Sequence, residues 1–390
     1  MLGERDDGAK RTEEADERDD AAESTLLMAR TAVVKVGTSS ITSEHGELDD
    51  ASLRKLCGEL AQARAVGHEV VLVSSGAIAA GLPALGMAIR PTDIGTLQAV
   101  AAVGQPLLME RIGAILGQHG LLAGQVLLTP HDFGVRSQYL HARETLRRLL
   151  DLGVIPVVNE NDTVADDEIR YGDNDRLAAL VSHLVGADVL VLLTDTAGLF
   201  TADPRLDDGA SLIEEIAEVD AALEALAGGT GTERGSGGMA TKLAAAKIAA
   251  WSGVRAVIAA ADTPGVIGDA IEGRAVGTSF LPRAERLSSR KLWIAFARGA
   301  AGRIVVDDGA RRALCTDHRS LLPAGVRGVE GSFDADDAVE IVDATGTPFA
   351  KGLVRYPASV LRDVAGRQTS DLADGLPHEV VHRDDLVVLP

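Results

Sequence analysis

The chain has 390 residues, 46% of them hydrophobic and 25% charged, which excludes wholesale disorder and leaves room for two domains with real cores. A net charge of -20 argues against broad, non-specific attraction to nucleic acid or anionic membrane, while leaving room for a local anion site. Aromatics are only 3%, so the core must be Val, Leu, Ile and Ala, which favours helices packed on buried strands.

Cys57 and Cys315 stand far apart and in no CxxC arrangement, so neither a disulfide framework nor a zinc site is expected, and a reducing compartment is the default. No stretch reads as long and apolar enough to span a bilayer, and the charged N-terminus shows no secretory signal. The expectation is a cytoplasmic protein without a membrane partner.

Residues 1–27 alternate acids and bases with almost no large apolar group, so they are expected to form a disordered acidic extension. Residues 28–285 then carry a repeating rhythm. Apolar runs at 32–36, 70–73, 125–128, 154–158, 189–193 and 256–260 predict buried strands. Helical patterns at 52–66, 138–152, 176–185 and 239–252 lie between them. Gly67, Gly153, Gly186 and Gly253 close these helices, where a left-handed cap favours glycine. Strands alternating with helices imply a mostly parallel sheet in a three-layer αβα sandwich. Residues 286–390 break the rhythm. Short runs at 303–306, 338–342, 349–353 and 386–389, with a helix at 357–364, predict a small, mostly β domain.

In such a sheet, ligands bind beyond the carboxyl ends of the strands. After the first strand comes Lys35-Val36-Gly37-Thr38-Ser39-Ser40: glycine permits close backbone approach, and the hydroxyls and amides suit an anion. A lysine among buried valines is costly unless it meets an anion, although a snorkelling strand-edge lysine is the plainer alternative. Ser74-Ser75-Gly76 reads equally well as a carboxylate-binding nest or as an ordinary capped turn. The densest cluster is Asn159-Glu160-Asn161-Asp162-Thr163 followed by Glu168 to Asp175. There Asp162 can take an ammonium and Asn174 can donate to a carboxylate, while Asp173 also reads as a helix N-cap. EF-hand spacing is absent. Thr194-Asp195 suits a ribose or phosphate, or is simply a polar loop. Finally, Gly235-Ser236-Gly237-Gly238-Met239-Ala240-Thr241-Lys242 is a Gly-rich loop entering a helix, which favours phosphate without matching the Walker A pattern. His131 and His141 lack metal-ligand spacing.

Taken in order, VVKVGTSS, LVSSGAIAAG, PVVNENDTV, YGDNDRLAALVS, LLTDTAGLFTADPR and GSGGMATKLAAAKIA resemble the amino-acid kinase family over about 32–282. The likeness is nearest to the members that phosphorylate the side-chain carboxylate of L-glutamate, the first step of proline biosynthesis. LPAGVRGVEGSF and the β-rich tail resemble the PUA domain that many bacterial members of that kind carry. The resemblance implies an enzyme using ATP and Mg²⁺, with Lys35 and Lys242 on the phosphates and Asp175 orienting them. It implies Ser75, Asp162 and Asn174 for glutamate, and Lys35, Thr194, Asp195 and the loop Ser236, Gly237, Gly238, Met239, Ala240, Thr241 and Lys242 for ATP. It also implies feedback inhibition by proline and a homo-oligomer, dimer or tetramer.

Two other readings compete. A kinase of the same fold could act on N-acetylglutamate or aspartate, but a free-ammonium site at Asp162 argues against an acetylated substrate. RNA binding by the tail would need a basic face, whereas Arg298, Arg303, Arg311, Arg312 and Arg327 are interleaved with Asp307, Asp308, Asp334, Asp336 and Asp337.

Overall fold

A computed structural model describes residues 29–43, 45–164, 174–204, 206–207, 209–220, 223–224, 238–284, 286–297, 299–373 and 375–389. The expected disordered extension lies outside the described residues. So do residues 165–173, with Asp173, and Ser236 and Gly237.

The six predicted runs form β1 (Thr31–Val36), β2 (Glu69–Ser74), β3 (Ala123–Leu128), β4 (Ile155–Glu160), β5 (Val189–Thr194) and β7 (Arg255–Ala260). Two short strands that the apolar pattern did not mark, β6 (Glu215–Ile216) and β8 (Thr278–Phe280), complete an eight-stranded sheet. Its order is β3-β4-β2-β1-β5-β7-β8-β6, parallel throughout except that β8 runs antiparallel to β7.

The helices of this part are α1 (Asp50–Ala65), α2 (Ala77–Ala84), α3 (Ile94–Gln118), α4 (Pro130–Gly134), α5 (Arg136–Asp151), α6 (Asn174–Val185), α7 (Met239–Trp251) and α8 (Val266–Glu272). Because side chains alternate along a strand, Val33, Val71, Val73 and Leu192 face α5, α6 and α7. Val34, Val36, Leu72 and Val191 face α1, α3 and α8. The αβα layering follows directly. Gly67, Gly153, Gly186 and Gly253 all take positive φ, from 61 to 95°, as the helix stops required.

One expectation is corrected here. Helix α3 has 25 residues and is long and apolar enough to cross a membrane by length and composition. It nevertheless buries Leu108, Ile112 and Leu116 against the sheet. Asp93 caps its start by accepting from the Thr96 amide at 2.8 Å. It crosses α2 with no room for a side chain at the contact, since a Cβ on Gly104 would meet the Ala77 carbonyl at 1.7 Å and one on Gly81 the Val100 carbonyl at 2.1 Å. That close crossing fixes where the next residue, Gln105, is held.

The C-terminal part is a second sheet of order β10-β9-β11-β12-β13. Its strands are β9 (Gly302–Val306), β10 (Val326–Gly331), β11 (Ala338–Val342), β12 (Pro348–Val354) and β13 (Val381–Val388). Strand β10 was not marked in the sequence, because its Arg327, Gly328 and Glu330 interrupt any apolar run. The α-helices described in this part are α9 (Ser289–Leu292), α10 (Asp308–Cys315) and α11 (Ala358–Val364). Helix α11 buries Leu361 and Val364 on the second core. Trp251 of α7 packs edge-on to Phe296 at 5.6 Å, in a cluster with Leu353 and Val387 that ties the two parts together.

Candidate active site

Lys35 lies in the middle of the sheet, paired at backbone level with Val73 on one side and Leu192 on the other. Its side chain shares the face of Val33, toward α6 and α7. Only 3% of the residue is exposed, so it does not snorkel to solvent. It meets the first turn of α6, where Asp175 is 1% exposed, and its Nζ lies 2.6 Å from Asp175 Oδ1. From the first turn of α7, Lys242 brings its Nζ to 3.3 Å from Asp175 Oδ2, and Thr241 donates its hydroxyl to the same oxygen at 2.8 Å. Three residues from two elements, β1 and α7, thus share the carboxylate that α6 supplies.

Burial pushes the Asp175 carboxyl up, but the charges of Lys35 and Lys242 and the hydrogen bonds from Lys35 and Thr241 outweigh it, and the group stays below its ordinary value. Two buried ammonium groups thus converge on the Asp175 carboxylate. Burying ammonium groups is costly, and an incoming anion stabilises them. The turn after β1 lies beside it, since a Cβ on Gly37 would sit 3.7 Å from Lys35 Nζ.

A second group of side chains lines the carboxyl ends of the neighbouring strands β2 and β4. Asn174 opens α6 and donates through Nδ2 to the Ser74 carbonyl at 3.0 Å, to Ser75 Oγ at 3.0 Å and to Asn159 Oδ1 at 2.8 Å. Its Oδ1 is buried and has no hydrogen-bond partner among the described residues. Asn174 was expected to donate to a carboxylate. In the structure its donor is taken by the protein, and the atom left for a ligand is an acceptor. Asp162 follows β4 in the turn, and burial raises its carboxyl to about 6, with Arg90 pulling it back. Thr194, at the end of β5 beside β1, donates to Asp195 Oδ1 at 3.0 Å. Gly238 takes an extended conformation as the N-cap of α7, followed by Met239, Ala240 and Thr241 in its first turn. A cleft of about 420 Å³ opens among Ser39, Ser40, Lys55, Thr194, Asp195 and Asp262.

The structure therefore brings Lys35, Asp175 and Lys242 into contact, joins Ser75 to Asn174, and sets Asp162, Thr194 and Asp195 along the same sheet edge. Sequence reasoning named Asn159 only as part of the polar cluster after β4, and did not single out Gln105, buried with it behind Asn174, nor Arg90 beside Asp162. The available signal was a polar residue inside an apolar stretch, at Asn159 after a valine pair and at Gln105 within an apolar helix.

The fold thus sets a buried lysine–carboxylate cluster against the central strand of a mostly parallel sheet. Residues 30–260 match the amino acid kinase family and residues 302–376 match the PUA domain. The chain belongs to the amino acid kinase family. It is similar to proteins named glutamate 5-kinase. That of Moorella thermoacetica is 48% identical over 368 residues, which is 93% of this chain and 97% of the relative. That of Myxococcus xanthus has the same identity and coverage, and that of Salinispora arenicola is 48% identical over 93% of this chain and 99% of the relative.

Proposed function

We propose that this protein is a kinase that moves the γ-phosphoryl group of ATP to the side-chain carboxylate of L-glutamate, giving L-glutamyl 5-phosphate for proline biosynthesis. The observation that carries the reading is the Lys35–Asp175–Lys242 cluster, which holds two buried ammonium groups around one carboxylate. The names of the relatives supply the substrate.

The chemistry agrees with the residues present. A side-chain carboxylate is ionised at neutral pH, so its oxygen attacks the γ-phosphorus without a general base. The new bond is carboxylate oxygen to phosphorus. The bond that breaks joins the γ-phosphorus to the bridging oxygen, and ADP leaves with that electron pair. What remains for the protein is positioning and charge stabilisation. Lys35 and Lys242 supply positive charge to the transferring group, and Asp175 holds both in place. Ser75, Asp162 and Asn174 bind glutamate. Thr194, Asp195 and the loop 236–242 bind ATP. Magnesium travels on the nucleotide phosphates, where it neutralises charge. Proline carries the same ammonium and carboxylate as glutamate and acts as an inhibitor. A homo-oligomer working in the cytoplasm completes the reading.

The test is ATP turnover with L-glutamate, N-acetyl-L-glutamate, L-aspartate and UMP, trapping acyl phosphate with hydroxylamine. Hydroxamate from L-glutamate alone supports the proposal. Turnover only with another acceptor keeps the lysine roles and overturns the substrate.

Asp162 makes this reading pH-dependent. A carboxyl titrating at about 6 is neutral in acid and charged above, and only the charged form attracts the substrate ammonium. The KM for L-glutamate is expected to rise as pH falls through 6, by about tenfold per unit below it, while the KM for ATP stays flat. Steady-state kinetics between pH 5 and 8 measure this, and Asp162→Asn should remove the dependence. A flat profile would separate Asp162 from the ammonium.

RNA binding through the C-terminal part has less support. Arg303 pairs with Glu340 at 2.9 Å, Arg311 with Asp343 at 3.2 Å and Arg327 with Asp307 at 2.7 Å, so these three arginines are already matched by carboxylates.

A further inference from the structure

The buried amides behind Asn174 form a chain whose directions are fixed from one end. The backbone N–H of Glu160 donates to Asn159 Oδ1 at 2.9 Å, and a backbone N–H can only donate. Asn159 therefore points its oxygen toward α6, where it also accepts from Asn174 Nδ2 at 2.8 Å. Its own Nδ2 must then face the other way, and it donates to Gln105 Oε1 at 2.8 Å. Gln105 in turn donates to Gln125 Oε1 at 3.1 Å.

The orientation of Asn174 follows from this chain. Turning its amide over would set Oδ1 against two acceptors, the Ser74 carbonyl and Asn159 Oδ1. The chain thus imposes an acceptor, Asn174 Oδ1, on a residue only 4% exposed. An unpartnered buried acceptor suits a ligand that donates, such as an ammonium, and disfavours a carboxylate. Gln105 is held on this chain by the crossing of α2 and α3 at Gly81 and Gly104, which leaves no space for a shift.

We propose that Gln105 is a positioning residue: by accepting from Asn159 Nδ2 it holds Asn159, and through it the Asn174 amide, in place with the Asn174 oxygen toward the substrate, and so favours an acceptor acid that carries a free ammonium. This rests on the glutamate reading given above.

The experiment compares L-glutamate with glutarate, which lacks the ammonium, as ligands of the full-length protein by direct titration. Gln105→Leu removes the oxygen that receives the Asn159 amide. Its affinity for L-glutamate is expected to fall by about tenfold, the worth of one hydrogen bond, with glutarate and ATP affinities little changed. Gln105→Glu keeps that oxygen, and in its protonated form can also donate to Gln125, so it should restore the preference. Gln105→Met carries the same comparison if the leucine variant does not fold. Equal losses for both acids would show a merely structural residue and overturn the proposal, as would no change for either. Failure of the wild-type protein to bind or phosphorylate L-glutamate would instead overturn the substrate reading.

Discussion

Replacing Lys242 with alanine is expected to lower kcat by two to three orders of magnitude, with the KM for L-glutamate changed only a few-fold. The size is that of removing one preorganised electrostatic donor from a transition state, about 3–4 kcal/mol. The transferring phosphoryl group spreads negative charge over its oxygens, and Lys242 is one of two cations held in place for it. Its ammonium is already fixed on Asp175 at 3.3 Å, so no reorganisation is needed when charge develops. Lys35→Ala should behave alike, since Lys35 holds the opposite oxygen of the same carboxylate at 2.6 Å. Folding gives the control. Removing either lysine leaves the other on Asp175, so the melting temperature should change far less than activity does. Single-turnover kinetics on both variants check the claim, and a kcat within fivefold of wild type would remove that lysine from the chemistry.

The layered fold was legible because strong, separate signals agreed: apolar runs, helical periods and glycine stops such as Gly153 and Gly186. Helix α3 escaped because Gly, Ala and Pro106 run through it, so its apolar residues do not make a clean stripe. Strand β8, antiparallel to β7, spans only three residues, too few for a period to show.

The site divides in the same way. Lys35 could be marked from its own segment, because a cation inside a valine strand needs an explanation. That it meets Asp175, 140 positions further along the chain, follows from β1 lying at the centre of the sheet with α6 packed on it, which no local pattern encodes. The family resemblance supplied that pairing. Gln105 was beyond both routes. Its importance lies in the direction of a hydrogen-bond chain through Asn159, which appears only once α3 and β4 are packed together.

Asp175 is the residue whose loss should harm both folding and activity. Asp175→Asn keeps an oxygen for the Thr241 hydroxyl, now donating at 2.8 Å, but removes the charge. Two ammonium groups, on residues 3% and 6% exposed, would then lose the carboxylate that they share. Breaking a buried ion pair by removing one partner costs about 3–5 kcal/mol. For a domain of this size that is a fall of roughly 6–20 °C in melting temperature. In the wild type the folded carboxyl lies below its ordinary value, so its stabilisation is in full force above the ordinary carboxylate range. It is lost as pH falls through the lowered folded value. The variant should therefore lose stability mainly at neutral pH and converge on wild type in acid. A double variant, Asp175→Asn with Lys242→Met, should recover most of the melting temperature, because it removes one of the two charges that lose the carboxylate, and it should remain inactive. Thermal unfolding from pH 8 down to pH 2, through the ordinary carboxylate range and below it, reads this directly on the three proteins. A loss at neutral pH below about 1 kcal/mol, the range of a solvent-screened pair, would mean that Asp175 does not neutralise the lysines. The site would then be prepared for its anion in some way other than a carboxylate shared by two cations.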